Sequence, residues 1–131
     1  MNVFDRNIVA TGAFIIAITI GIGAFGAHGL KQIIDGSSLE TFEVGVRYQM
    51  YHALAILILG FAPWVSQKLK KTIFWLFIIG ILFFSGSIYL LSLNSVLPFN
   101  AGKIGFITPI GGLLFIIGWL RWGFGMIKLR K

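Results

Sequence analysis

ETFEVGVRYQMYHALAILILGFAPW, residues 40–64, passes without interruption from a charged, tyrosine-rich segment into a wholly apolar one. Glu40, Glu43 and Arg47 fall at i, i+3 and i+7, while Leu39, Phe42, Val46 and Met50 recur on another side, which is the spacing of a helix with one charged and one apolar face. After Arg47 no charge appears before Lys68. The spacing predicts one long helix from about Ser38 to Pro63, with its first two turns at a membrane surface and residues 46–64 crossing the bilayer. Ser37 and Glu40 have the spacing of a capping box at its start.

The rest of the chain agrees with a lipid environment. Of 131 residues, 57% are hydrophobic and 11% charged, too few charges to cover a water-soluble globule of this length. Cysteine is absent, which removes disulfides and thiolate chemistry. The +7 net charge would suit nucleic acid in a soluble protein, but the basic residues sit in short loops between apolar runs, so no nucleic-acid partner is expected.

Three further spans follow from uncharged runs of about 20 residues, the length that crosses about 30 Å of hydrocarbon. Met1–Asn7 reads as a leader, residues 8–27 as the first span, 72–93 as the third and 104–122 as the fourth, with Pro109 in the fourth span's first two turns. The expected fold is therefore all-α: a single domain over residues 1–131, an integral membrane four-helix bundle with four transmembrane helices and an interfacial N-terminal extension on the second. In the first span the rows Ala10, Ala17, Ala24 and Phe14, Gly21, His28, with Ala13 beside them, are predicted to form the packing seam.

Four spans place the N-terminus, the second connection and the C-terminus on one side. That side carries Arg6, Lys68, Lys70, Lys71, Arg121, Lys128, Arg130 and Lys131, against Lys31, Arg47 and Lys103 on the other. The excess predicts a multi-pass plasma-membrane protein with both termini cytoplasmic, its basic loops against anionic lipid. In this orientation His28, Tyr48, Gln49, His52, Ser85, Tyr89 and Thr108 converge on the outer half of the bundle, where polar groups must find one another.

GAFGAHGLK, ETFEVGVRYQMYHALAILILG, FSGSIYLLSL and ITPIGGLLFIIGW, in this order, resemble the blocks of the small four-helix membrane proteins catalogued as domain of unknown function 423. The resemblance covers nearly the whole chain and implies a four-span bacterial plasma-membrane protein. It brings no activity, so His28, Glu43, Arg47, Tyr48, Gln49, His52, Ser85, Thr108 and Pro109 carry over as motif positions only.

Each candidate residue has a plain structural explanation beside the functional one. Glu43 and Arg47, four apart, suit a surface ion pair; alternatively Arg47 takes an anionic headgroup or carboxylate. His28 and His52 are the two histidines that a metal or haem would use, but their separation matches no metal motif and packing roles are expected, so no metal or cofactor is assigned. Ser85 or Ser87 with His52 is the sole nucleophile and base candidate, and no acid in the spans orients the histidine, so no enzyme is expected. The leading expectation is a non-enzymatic protein binding a lipid, a small amphiphile or a membrane-protein partner, itself or another, through His28, Glu43, Arg47, Tyr48, Gln49, His52, Ser85, Tyr89 and Thr108. The alternatives are an oligomeric transporter or channel subunit, and metal or haem binding by the two histidines.

Overall fold

In the computed structural model, which describes residues 1–129, four long helices account for most of the chain. They are α1 (Val3–Ala27), α2 (Gly36–Gly60), α3 (Gln67–Ser92) and α4 (Ile107–Ile127), with one 3₁₀ turn in the α1/α2 connection and two in the α3/α4 connection. Three helical segments, Val3–Gln32, Gln67–Ser92 and Ala101–Ile127, are long and apolar enough to cross a membrane. α2 is as long as α1, but its first half carries Glu40, Glu43 and Arg47.

The helix starts are set by side-chain caps. Asn2 accepts from the Asp5 amide at 2.8 Å and begins α1 five residues before the expected span, so most of the expected leader is helix. α2 begins at Gly36 because Asp35, rather than the expected Ser37 and Glu40 pair, caps it: Asp35 Oδ1 accepts from the Ser38 amide at 2.7 Å. Ser66 caps α3, so Lys68, Lys70 and Lys71 lie in its first two turns and not in a loop. α2 ends at Gly60, short of Pro63, and α4 runs to Ile127, beyond the expected 122. Pro109 is its third residue, where no intrahelical bond needs the missing amide.

Packing is carried by three successive pairs, α1/α2, α2/α3 and α3/α4, so α1 and α4 flank a central α2/α3 pair. Glycines set the two outer contacts. A Cβ on Gly12 would come 2.8 Å from the Leu57 amide nitrogen, and one on Gly111 would meet the Phe84 backbone, so in both pairs backbone lies against backbone. The core between them is Ile8, Ile56, Leu59, Ile73, Phe77, Ile81 and Phe115. Outward faces stay apolar, with Phe14, Leu113, Ile116 and Phe124 exposed as lipid-facing residues would be.

The seam on α1 differs from the expected one. Asp5, Gly12, Thr19 and Gly26 form the buried i, i+7 row, whereas Ala10, Ala13, Ala17, Gly21 and Ala24 point away from the other helices. A row of small residues on either face satisfies the same rule, and the face was decided where the backbones meet: Gly12 lies against Leu57 of α2, and Gly60 of α2 lies against Asp5 and Val9.

The bundle end that carries the N-terminus holds a polar clamp that the hydropathy pattern conceals. Lys70, counted above among the loop lysines, is fully buried, and its Nζ donates to Asp5 Oδ1 at 2.7 Å. Asp5 also accepts from Gln67 Nε2 at 3.1 and 3.3 Å and from Asn2 Nδ2 at 3.1 Å. The carboxylate thus sits between the first turns of two parallel helices, α1 and α3, whose positive dipole ends it faces together with the ammonium. It is the sole ion pair among the described residues, so Glu43 and Arg47 do not form the expected one. Arg130 and Lys131, counted in the charge asymmetry, lie outside the described residues.

Candidate functional site

The polar residues singled out in the sequence divide among separate places. Ser85 Oγ donates to the Gly45 carbonyl at 2.7 Å, bonding α3 to the α2 backbone. Ser87 and Thr108 share a short hydrogen bond from α3 to α4. Both are helix-to-helix ties: the hydroxyls are consumed by the fold, and neither serine meets His52.

His52 sits in a box of aromatic rings. Phe115 stacks on it with centroids 3.5 Å apart, Phe77 meets it edge-on, and Tyr48 and Trp119 lie alongside. Its Nε2 accepts from Trp119 Nε1 at 3.0 Å, and its Nδ1 lies 2.7 Å from the Tyr48 carbonyl oxygen. An indole N–H only donates and a carbonyl only accepts, so the partners fix the neutral tautomer with the proton on Nδ1. Neither nitrogen is free for a metal, and no group of three His, Asp or Glu that could hold one occurs among the described residues. His28 is exposed at the C-cap of α1 and has no part in this box. Tyr48 is partly exposed, its ring against Phe84 and Tyr51.

Gln49 and Tyr89 do come together. Tyr89 donates its hydroxyl to Gln49 Oε1 at 2.7 Å, Gln49 Nε2 donates to Thr19 Oγ1 at 2.8 Å, and Thr19 donates to the Ile15 carbonyl at 2.6 Å. This chain crosses α3, α2 and α1 in turn. Thr19 was not among the candidates; its place at i+7 from Gly12 and i−7 from Gly26 was the signal that would have found it.

The same chain borders a groove of about 320 Å³ between α1 and α3. Ile15 and Ile18 form one wall, Ile78, Ile81 and Leu82 the other, with Gly86, Tyr89 and Gln49 at its end. It exists because α1 and α3 are each packed on α2 rather than on each other, and the Asp5–Lys70 clamp ties them only at the N-terminal ends. Gly86 keeps it open, since a Cβ there would meet nothing within 4 Å. Its volume lies at the lower end of small-molecule sites, roughly 300–1,000 Å³, and its lining has their character: apolar walls with a few placed polar groups. Gln49 has a second amide proton and Tyr89 an acceptor lone pair beyond those the chain uses.

Glu43 and Arg47 lie elsewhere. They line a crevice of about 230 Å³ with Gly23, Gly26, Phe42 and Val46, between α1 and α2 near the end of α1. They also border a neighbouring hollow of about 380 Å³ with Ser37, Glu40, Thr41 and Val44.

Comparison with known proteins gives a family and no activity. A family model described as protein of unknown function (DUF423) matches residues 22–112. A UPF0382 membrane protein of Staphylococcus saprophyticus is 40% identical over 121 residues, 92% of this chain and 97% of that protein. The UPF0382 membrane protein YwdK of Bacillus subtilis is 39% identical over 117 residues, 86% and 89% of the two chains. A UPF0382 membrane protein of Haemophilus influenzae is 36% identical over 130 residues, 99% and 98%. No solved structure matches.

Proposed function

We propose, for a chain that belongs to the DUF423 family, that it is a plasma-membrane protein holding one chain of a lipid or small amphiphile in the α1/α3 groove. The observation that carries the reading is the groove itself: an apolar slot beside a three-helix hydrogen-bonded chain, kept open by a glycine with space above it. The apolar walls take a hydrocarbon segment, and Gln49 and Tyr89 offer the donor and acceptor that fix its polar end. Helix α2 crosses with the other three. At 25 residues it is about 37 Å long, and its buried polar side chains, Gln49 and His52, find partners inside the protein as lipid requires. Both ends face the cytoplasm, supported by Arg6, Lys68, Lys71, Arg121 and Lys128 at the N-terminal end of the bundle against Lys31, Arg47 and Lys103 at the other. Catalysis has no support from the geometry, because Ser85 and Ser87 bond other helices and the two ring nitrogens of His52 are taken.

The test is Gly86→Leu. The substituent projects into the groove from a position where a Cβ meets no neighbour, so the fold is kept while the slot is filled. Native mass spectrometry of gently extracted protein should show one retained amphiphile fewer on the variant than on the wild type. Equal retention by both would place the bound molecule elsewhere and overturn the reading.

A further inference from the structure

We infer that the crevice between the outer ends of α1 and α2, bordered by Glu43 and Arg47 of α2, binds the headgroup of an aminophospholipid. Arg47 takes the phosphate and Glu43 the primary ammonium. The inference rests on the membrane placement proposed above but not on the groove, with which the crevice shares no lining residue.

Depth comes first. Gly26 faces Phe42, where a Cβ would come 2.7 Å from the ring, and Gly23 faces Val46, at 3.3 Å. These contacts set Glu43 and Arg47 level with the last two turns of α1, a helix of about 37 Å and longer than the hydrocarbon layer, hence at headgroup depth. The glycines also leave the crevice its width, and Phe42 and Val46 give it an apolar wall for the glycerol and first methylenes.

Charge is the second, independent observation. Glu43 and Arg47 are both exposed, border the same two hollows and make no ion pair with each other, so each charge is available to a ligand. The arginine fork matches a phosphate diester, and a primary ammonium has three protons to give to carboxylates, of which Glu40 on the second hollow is another. A glycerol headgroup brings negative charge toward two carboxylates and one arginine and has no cation to offer them. A choline headgroup has the cation but no N–H. The rim therefore favours a zwitterion with a protonated amine.

The experiment offers detergent-solubilised full-length protein an equimolar mixture of phosphatidylethanolamine, phosphatidylglycerol and phosphatidylcholine and counts retained lipids by native mass spectrometry. Wild type should retain phosphatidylethanolamine over the other two by about fivefold, the preference a single exposed charge pair supports. Glu43→Gln should abolish the preference, and Arg47→Gln should lower retention of all three, while Gly86→Leu should leave the preference intact. Both polar variants are at exposed positions, and unchanged thermal melting checks their folding. The inference is overturned by equal retention of the three lipids, by preference for phosphatidylglycerol, or by a preference that survives Glu43→Gln. It is also overturned if water-soluble glycerophosphoethanolamine displaces the lipid at equal concentration, since the ligand would then be the free ester.

Discussion

Replacing Asp5 by Asn should be the most damaging single change of charge in this protein. Lys70 Nζ is fully enclosed and has one hydrogen-bond acceptor, Asp5 Oδ1 at 2.7 Å, so the variant leaves an ammonium whose counter-charge is gone. Removing one partner of a buried ion pair costs about 3–5 kcal/mol. The α1 cap is spared, because Asn2 bonds the Asp5 backbone amide. Lys70→Met should cost less, about 1–3 kcal/mol, since the Asp5 carboxylate keeps its Gln67 and Asn2 donors and is 12% exposed. The pair replaced together, Asp5→Leu with Lys70→Met, should come within about 1–2 kcal/mol of wild type, because no charge is then buried alone. Unfolding in mixed micelles by increasing dodecyl sulfate, followed by tryptophan fluorescence, gives the four free energies of the cycle. Additive single costs, or an Asp5→Asn cost below about 1 kcal/mol, would refute the claim that the two charges depend on each other.

Gly12→Ala places a methyl against the Leu57 backbone and should destabilise the protein by about 1–3 kcal/mol in the same assay, whereas Ala17→Gly on the outward face should cost only its helix propensity, about 1 kcal/mol. Acid should loosen the start of α2. Its cap, Asp35, is held below the usual carboxylate range by the hydrogen bond from the Ser38 amide, so its stabilisation is present above the unfolded pKa of about 3.9 and is lost as pH falls through the lower folded value. Protection of the Ser38 amide, taken relative to its intrinsic exchange rate at each pH, should therefore fall at the acid end, and Asp35→Asn, which still caps but does not titrate, should remove that loss of protection.

Much of this architecture was legible because hydropathy reports length and charge. The four helices, their order and the long amphipathic second helix follow from uncharged runs and from the 3.6-residue spacing of residues 39–50. Which face packs did not follow. Ala10, Ala17 and Ala24 form as good a small-residue row as Gly12, Thr19 and Gly26, and only the backbone contacts with α2 at Gly12 and Gly60 separate them. Asp5 and Lys70 were hidden for a related reason: near a terminus and in a lysine-rich turn, each looks solvated. The missed signal was periodicity, since Asp5 continues the Gly12, Thr19, Gly26 row and Lys70 continues the Ile73, Phe77, Ile81 row. The candidate site was legible as residue types and not as a place. Gln49 and Tyr89 meet at the groove, Glu43 and Arg47 share a rim, and Ser85, Thr108 and His52 are absorbed by helix contacts that no spacing within one helix specifies.

The most direct test of the groove is photo-crosslinking in membranes with a phospholipid that carries a diazirine along its acyl chain, followed by peptide mapping. Crosslinks should concentrate on Ile15, Ile18, Ile78 and Leu82, with few on the equally apolar but outward-facing Phe14 and Phe124. Crosslinks spread evenly over all lipid-facing positions would mean that the lipid is solvent and not ligand, and would contradict the proposed function.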